Sequence, residues 1–337
     1  TWKSITSATT AYEFKRLFTK FAEETGSSLA FVPWQAHDFS FRGVSGIHDA
    51  SQSGAGHLTS FTGTDTIVAL DYLENYYRGA ETFMGGSVPA TEHSVMCMGG
   101  QETEIDTFKR LITKVYPTGI VSIVSDTWDF WKVITEFAVQ LKSTILGREG
   151  KLVFRPDSGD PIKIINGNPD ASPGSSEYKG AIECLWDTFG GTVTNTGYKM
   201  LDPHVGVIYG DSISLDRGRL ILEGMKSKGF ASGNIVFGVG SYTYQYVTRD
   251  NFGTAIKSTF GRVNGKDQSL SKTPKTDNGI KKSACGLLRV EKEGSDFVLY
   301  ENQTWKEEEQ GDLKLIFENG RMVRNQSIAE IRELLKN

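Results

Sequence analysis

VGVIYGDSISLDRGRLILEGMKS, residues 205–227, contains one whole unit of the plan on which the chain is built. Val205 to Tyr209 is a short apolar run that reads as a buried strand, and Gly210-Asp211-Ser212 breaks it. Ser214 then caps a helix running to Lys226, with Asp216 in the first turn, where the helix dipole favours an acid. The same order recurs on either side. Gly119 to Val124 runs into Ser125-Asp126, Lys151 to Phe154 into Arg155-Pro156-Asp157-Ser158-Gly159-Asp160, and Asn234 to Phe237 into Gly238-Val239-Gly240-Ser241. Ser28 to Pro33 reads as a further buried strand. Helical spacing fills the intervals. Tyr12 to Glu24 sets Phe14, Leu17, Phe18 and Phe21 on one face, and Thr64 to Tyr77, Thr103 to Val115, Thr127 to Leu146 and Ser175 to Phe189 read alike. Strands alternating with helices predict βα units and a parallel sheet. In parallel α/β folds the carboxyl ends of the strands share one face, so the acids and glycines at these four ends should converge there. The pattern fits a barrel with its site on that face. Taken singly, each loop fits equally well a turn whose Asp, Ser or Gly caps the next helix.

Beyond about residue 255 the pattern changes to alternating segments punctuated by Gly and Asn. Leu287 to Glu291 with Phe297 to Glu301, and Leu313 to Glu318 with Gly320 to Val323, read as hairpins, and Ser327 to Leu335 as a last helix. The polar stretch 269–282 reads as a surface loop. The expected division is therefore an α/β barrel over 1–255 and a β-hairpin-rich segment with a C-terminal helix, packed on the barrel, over 256–337. With 337 residues, two domains or one barrel with an appended subdomain are both admissible. The composition, 38% hydrophobic and 23% charged, is that of an ordinary globular protein. A net charge of −4 gives no global attraction to nucleic acid or to an anionic membrane. No apolar run is long enough to span a bilayer, and the first residues lack the pattern of a signal peptide. Cys97, Cys184 and Cys285 have neither zinc-site nor disulfide spacing, so reduced thiols and a cytoplasmic setting are expected.

Several residues have the chemistry of a site. Asp157 and Asp211 are hard oxygen ligands at two strand ends, suited to Mg²⁺ or to sugar hydroxyls. The short Gly238-Val239-Gly240-Ser241 loop can bring backbone N–H groups to a phosphate, although GxGxxG is not completed. Arg249 and Lys257 would add positive charge to the same anion or, taken singly, are solvated surface charges. His93, beside Glu92 in a loop containing Pro89, has the setting of a nucleophile or acid–base group, or of a satisfied buried histidine. In His37 to Gly43, Phe39 and Phe41 with Arg42 would sandwich a flat, electron-poor ring and hold a phosphate, or else would be core aromatics with a rim arginine.

Seven runs together carry a resemblance: HDFSFRGVSG (37–46), FTGTDT (61–66), SVPATEHS (87–94), SIVSDTWD (122–129), RPDSGDP (155–161), YGDSIS (209–214) and FGVGSYTYQYVTRD (237–250). In order and spacing the chain resembles the nicotinamide phosphoribosyltransferases over nearly its whole length. The resemblance implies the irregular parallel α/β barrel of the type II phosphoribosyltransferases, with a C-terminal β-rich segment. It implies that Phe39 stacks on nicotinamide, Arg42 reaches phosphate, and Asp65 accepts a hydrogen bond from the carboxamide. A carboxylate at that point welcomes an amide and repels nicotinate. His93 matches the histidine that the family phosphorylates, with ATP as coupling substrate. Asp126, Arg155, Asp157, Gly210 and Asp211 match residues around ribose, phosphates and Mg²⁺. Gly240, Ser241, Arg249 and Lys257 match the pocket for the ribose 5′-phosphate, partly supplied across a homodimer interface.

The resemblance further implies a reaction in which the pyridine nitrogen displaces pyrophosphate from C1 of phosphoribosyl pyrophosphate, through an oxocarbenium-like transition state. No general base is required, because the attacking nitrogen carries no proton. Two departures stand out. The family has an N-terminal region before the point where Thr1 aligns, so one wall of the pocket would be missing or come from a separate N-terminal polypeptide. The loop GVGSYTY (238–244) carries the bulkier Tyr242 and Tyr244 where vertebrate-like members have a run of glycines, and Ala255 replaces a hydroxyl residue; a pocket so reshaped makes a transferase using a larger activated ribose donor an alternative. The alternatives are a nicotinate phosphoribosyltransferase and, in a different class, a non-catalytic nicotinamide- or nucleotide-binding protein.

Overall fold

The structure, a computed structural model, describes residues 2–271, 283–294 and 296–336. Most of the stretch 269–282, expected as a surface loop, lies outside the described residues. The chain forms two compact units: one runs through Thr248 and takes in the segment from Gln326, and the other is Arg249–Asn325.

The larger unit is an α/β structure around one parallel sheet. Its strands are β1 (Ala36–Asp38), β2 (Gly63–Thr64), β3 (Thr118–Val124), β4 (Glu149–Arg155), β5 (Val205–Tyr209) and β6 (Ile235–Val239). They lie in the order β2-β1-β6-β5-β4-β3, with Ala36 opposite Phe237, Val207 opposite Ile235, Leu152 opposite Val205 and Val121 opposite Leu152. The extended segment 86–91 spans the gap between the two edges. Gly86 bridges to Gly63 on β2, and Ala90 bridges to Ser122 on β3. The backbone bonds Thr64 N to Gly86 O (3.0 Å) and Ser122 N to Pro89 O (2.9 Å) complete the ring. Pro89 has no N–H of its own and serves here as an acceptor only. The expected irregular parallel barrel is thus the observed one, and SVPATEHS is its closing stave.

The helix α1 (Trp2–Thr25) covers one flank. Its buried stripe of Ala11, Phe14, Phe18, Phe21 and Ala22 follows the helical period, and Phe18 stacks on Phe237 of β6 at 5.1 Å between centroids. Each fully buried phenylalanine contributes roughly 1.5–3 kcal/mol. Next to it lie α2 (Ile47–His57) and α3 (Val68–Tyr77). The α2 sequence, IHDASQSGAGH, shows little apolar period because it packs through small residues. Gly56 lies against the backbone of Ser4 and Ala8 on α1, and Gly54 against Ala69 on α3. The C-terminal helix Ile328–Leu334 opens on a capping box made by Ser327 and Glu330. Its Arg332 donates to the carbonyls of Leu58 (2.9 Å) and Phe83 (2.7 Å), which anchors the approach to the closing stave.

Two expectations are corrected. The run 28–33 is not a strand: Leu29–Trp34 forms a tight 3-10 turn and β1 begins three residues after Pro33. Proline cannot donate to a ladder, and its carbonyl is already taken by Thr62 N at 2.8 Å. The helix expected from Thr64 starts at Val68, because Thr64 ends β2 and its hydroxyl accepts from Thr66 N, turning the chain. Among its described residues the second unit carries three antiparallel pairs: 260–263 with 266–269, 287–293 with 296–303, and 317–318 with 321–322. The first of these was not legible from the alternation. Among the described residues, no helix is long and apolar enough to cross a membrane.

Gly56 offers a test of the packing. Glycine to alanine inside a helix ordinarily gains about 1 kcal/mol. Here the added methyl would meet Ser4 O at 2.6 Å and Ala8 N at 2.8 Å. Overpacking of that kind costs roughly 1–3 kcal/mol and reverses the sign. Gly56→Ala should lower the urea midpoint without changing the slope of the transition.

Candidate active site

The carboxyl ends of the strands gather most of the expected residues. Asp65 follows β2, and its backbone N–H donates to Asp38 O at the end of β1 (3.0 Å). One carboxylate oxygen of Asp65 accepts from Ser87 Oγ at 2.6 Å and meets His37 Nε2 at 2.9 Å. Partial burial pushes the Asp65 carboxyl up, but the His37 and Ser87 hydrogen bonds outweigh it and hold it below its ordinary value. Asp65 is thus an oriented carboxylate, with 48% of its side chain open to solvent.

Asp126, just past β3, is the best-connected group of the site. Only 4% of its side chain is exposed. One oxygen meets His93 Nε2 at 3.0 Å, and the other accepts from Asp157 N (2.7 Å) and Ser158 Oγ (2.6 Å). His93 is held at the end of the closing stave with 41% of its side chain exposed. From β5, the Tyr209 hydroxyl donates to Ser158 O (2.9 Å) and Gly159 O (3.0 Å), so the 155–160 loop is clamped from both neighbouring strands. Burial, with Asp211, Asp126 and Asp157 nearby, pushes the Tyr209 phenol up, which keeps it a donor. The Asp157 carboxyl is also pushed up, first by burial and then by Asp126 and Asp211, with Arg155 and His93 opposing.

Arg155 has a buried side chain whose closest acid is Glu92 at 3.7 Å, and its Nε has no hydrogen-bond partner among the described residues. It lines a cavity with Phe39, Phe41, Arg42, Asp65, Glu92 and Asp157. A second cavity has Phe39 and Arg42 in common with the first and adds Gly210, Asp211, Ser212, Gly240, Ser241 and Tyr242. The Phe39 ring lies over two glycines: a Cβ on Gly238 would meet it at 2.4 Å and one on Gly210 at 3.1 Å. Gly238 therefore serves aromatic packing, while Gly240 faces open space. Gly43, in the turn carrying Arg42, has Ser241 against its α-carbon.

Phe39, Arg42, Asp65, His93, Asp126, Arg155, Asp157, Gly210, Asp211, Gly240 and Ser241 all lie in the larger unit at this face. Arg249 and Lys257 belong to the second unit, where Arg249 pairs with Asp250 at 3.4 Å and Lys257 lines a separate hollow with Ser258 and Gln268. Sequence reasoning missed His37, Ser87 and Glu92, the partners that orient Asp65 and face Arg155. Their signal was present in the motif runs, but spatial pairing across the stave is not visible along the chain. Among the described residues no three His, Cys, Asp or Glu side chains converge as a metal-holding group. Asp157 lines the first cavity and Asp211 the second, and carboxylates of this kind suit a cation completed by water and ligand oxygens.

A parallel α/β barrel with basic, acidic and glycine groups facing one cleft places the chain in the structural class of the phosphoribosyltransferase barrels. Residues 34–314 match the nicotinate phosphoribosyltransferase (NAPRTase) family, and the chain belongs to that family. It is 57% identical over 340 aligned residues to a nicotinamide phosphoribosyltransferase of Acinetobacter baylyi, covering 99% of this chain and 67% of that one. A Mycoplasma pneumoniae protein of the same name is 39% identical, over 82% of this chain and 58% of the relative. One from Xanthomonas campestris is 33% identical, over 98% and 69%. The chain thus spans about 58–69% of the length of these curated relatives. In fold it resembles the crystal structure of nicotinate-nucleotide pyrophosphorylase from Pyrococcus furiosus, with a TM-score of 0.57 at 15% identity, over 99% of this chain and 69% of that one.

The raised Asp157 carboxyl has a consequence for stability. Its folded value lies above the unfolded one, so ionised Asp157 weakens the fold at neutral pH, and the penalty vanishes below the unfolded value of about 3.9. Asp157→Asn should raise the melting temperature of the ligand-free chain at pH 7, with the gain disappearing as pH falls toward 4.

Proposed function

We propose that the chain, within its whole protein, transfers phosphoribosyl from phosphoribosyl pyrophosphate to nicotinamide, giving nicotinamide mononucleotide and pyrophosphate in NAD salvage. The observation that carries the reading is that an oriented Asp65 carboxylate and the largely buried Arg155 side chain line one cavity. Asp65 is set to accept from a carboxamide NH₂ and to repel a carboxylate. Phe39 supplies a ring face for the pyridine, and Arg155 and Arg42 face the anionic donor. The pyridine nitrogen forms the bond to C1 as the bond to pyrophosphate breaks, and no proton has to move. Holding the weak nucleophile in line is an orientation effect, and the fixed charges act where pyrophosphate departs.

Asp157 and Asp211 would hold Mg²⁺. The Asp157 carboxyl, raised by burial and neighbouring acids, fits a place where positive charge is wanted. Mg²⁺ held by these two residues would supply positive charge beside the departing pyrophosphate. Gly240 and Ser241 supply the 5′-phosphate side of the cleft. His93, held by Asp126 and partly open to solvent, is the group assigned to ATP-dependent phosphorylation. A homodimer and a cytoplasmic setting complete the proposal, the latter supported by three unpaired thiols.

The test is product formation from phosphoribosyl pyrophosphate and Mg²⁺ with nicotinamide or nicotinate. The mononucleotide of the amide alone is expected, and Asp65→Asn should narrow the preference by about 10–100-fold. Asp211→Ala should abolish turnover and leave nicotinamide binding intact. Equal use of both bases by the unmodified protein would overturn the role given to Asp65.

A further inference from the structure

We infer that His57 and Tyr244 form a positioning pair that holds the base-reading wall of the cleft and its phosphate-side helix in one register. The inference rests on the transferase reading for what the two walls bind. His57 ends α2 and Tyr244 lies in the short helix Ser241–Gln245, and both side chains are buried. The Tyr244 hydroxyl is 2.6 Å from His57 Nδ1, and His57 Nε2 is 3.0 Å from Gly63 O. A carbonyl only accepts, so Nε2 carries the imidazole proton and Nδ1 accepts from Tyr244. Burial lowers the His57 pKa to about 4, against the pull of Asp38, so the ring is neutral and this donor pattern persists at neutral pH.

One side chain therefore joins β2 to the helix that follows β6. Gly63 precedes Asp65 by two positions, and Tyr244 follows Ser241 by three. Behind the pair, Lys3 of α1 donates to Tyr244 O at 2.6 Å and reaches Asp49 of α2 at 3.4 Å, so α2, which carries His57, is tied to the same helix a second time. Neither His57 nor Tyr244 lines either cavity, so both act on bound substrate only through the walls they hold. Water cannot replace the bond in a closed interior, and losing the hydroxyl leaves Nδ1 unpaired.

Tyr244→Phe keeps the ring and removes the donor. The expected result is a fall of about tenfold in kcat/KM for both nicotinamide and phosphoribosyl pyrophosphate, the size of one buried hydrogen bond. Hydrogen exchange should quicken at the amides of Thr64 and Asp65 and in the helix from Ser241, while Val124 and Ser125, on the far side of the ring, keep their rates. A lower melting temperature with both kcat/KM values unchanged, or faster exchange everywhere, would overturn the inference and leave an ordinary core contact. If the unmodified protein forms no product, the proposed reaction fails, and the exchange pattern alone decides the pair.

Discussion

The Asp126 carboxylate meets His93 on one oxygen and accepts from Asp157 N and Ser158 Oγ on the other, and the cleft takes its shape from that arrangement. Each partner belongs to a different stave from the one Asp126 ends. A buried carboxylate left with a free oxygen is expensive, so the three staves are driven to meet at this point. Tyr209 then fixes the same 155–160 loop from the opposite side. Arg155, at the root of that loop, lines the cavity and has a buried Nε with no partner among the described residues. Asp126 is held by hydrogen bonds on both oxygens, whereas the nearest acid to Arg155 is Glu92 at 3.7 Å.

Phe39 sets the second limit. Its ring occupies the room that side chains on Gly210 and Gly238 would fill, so the end of β1 lies directly over the ends of β5 and β6. Both cavities share that ring and Arg42, which makes them two lobes of one cleft with an aromatic divider. Such a divider can sort a flat apolar ligand from a charged one by placement alone.

Much of this was legible in the sequence, and for a clear reason. β3 to β6 each contain a short apolar run and are followed within two residues by Asp or Gly, and both features have direct chemical signatures. Asp126, Asp157, Gly210 and Asp211 could be placed on a common face because parallel strands leave no other choice. The elements that escaped are those held by tertiary contacts. β2 is two residues long, the stave 86–91 contains a proline, and α2 is built of small residues that hide its period. Glycines 54 and 56 look like a flexible stretch and turn out to be the contact surface of a tightly packed helix. His37 and Ser87 belong to the site because of that irregular closure, which no periodicity announces. Gly238 was read as room for a phosphate, but the space a side chain would take there is filled by the ring of Phe39.

The pairing of Ala36 with Phe237 has a consequence for how the chain reaches this state. β3 and β4 can pair soon after they are made, as can β1 and β2, but the neighbour on the other side of β1 lies about two hundred residues further along. Until β6 is available, β1 has no neighbour on one side and β5 none on the other, and the Asp126 cluster sits on an unfinished ring. Edges exposed for that long invite pairing with other chains. During synthesis the hazard is therefore greatest before residue 239 clears the ribosome, and a nascent chain stopped short of it would be a client for chaperones rather than a smaller folded barrel.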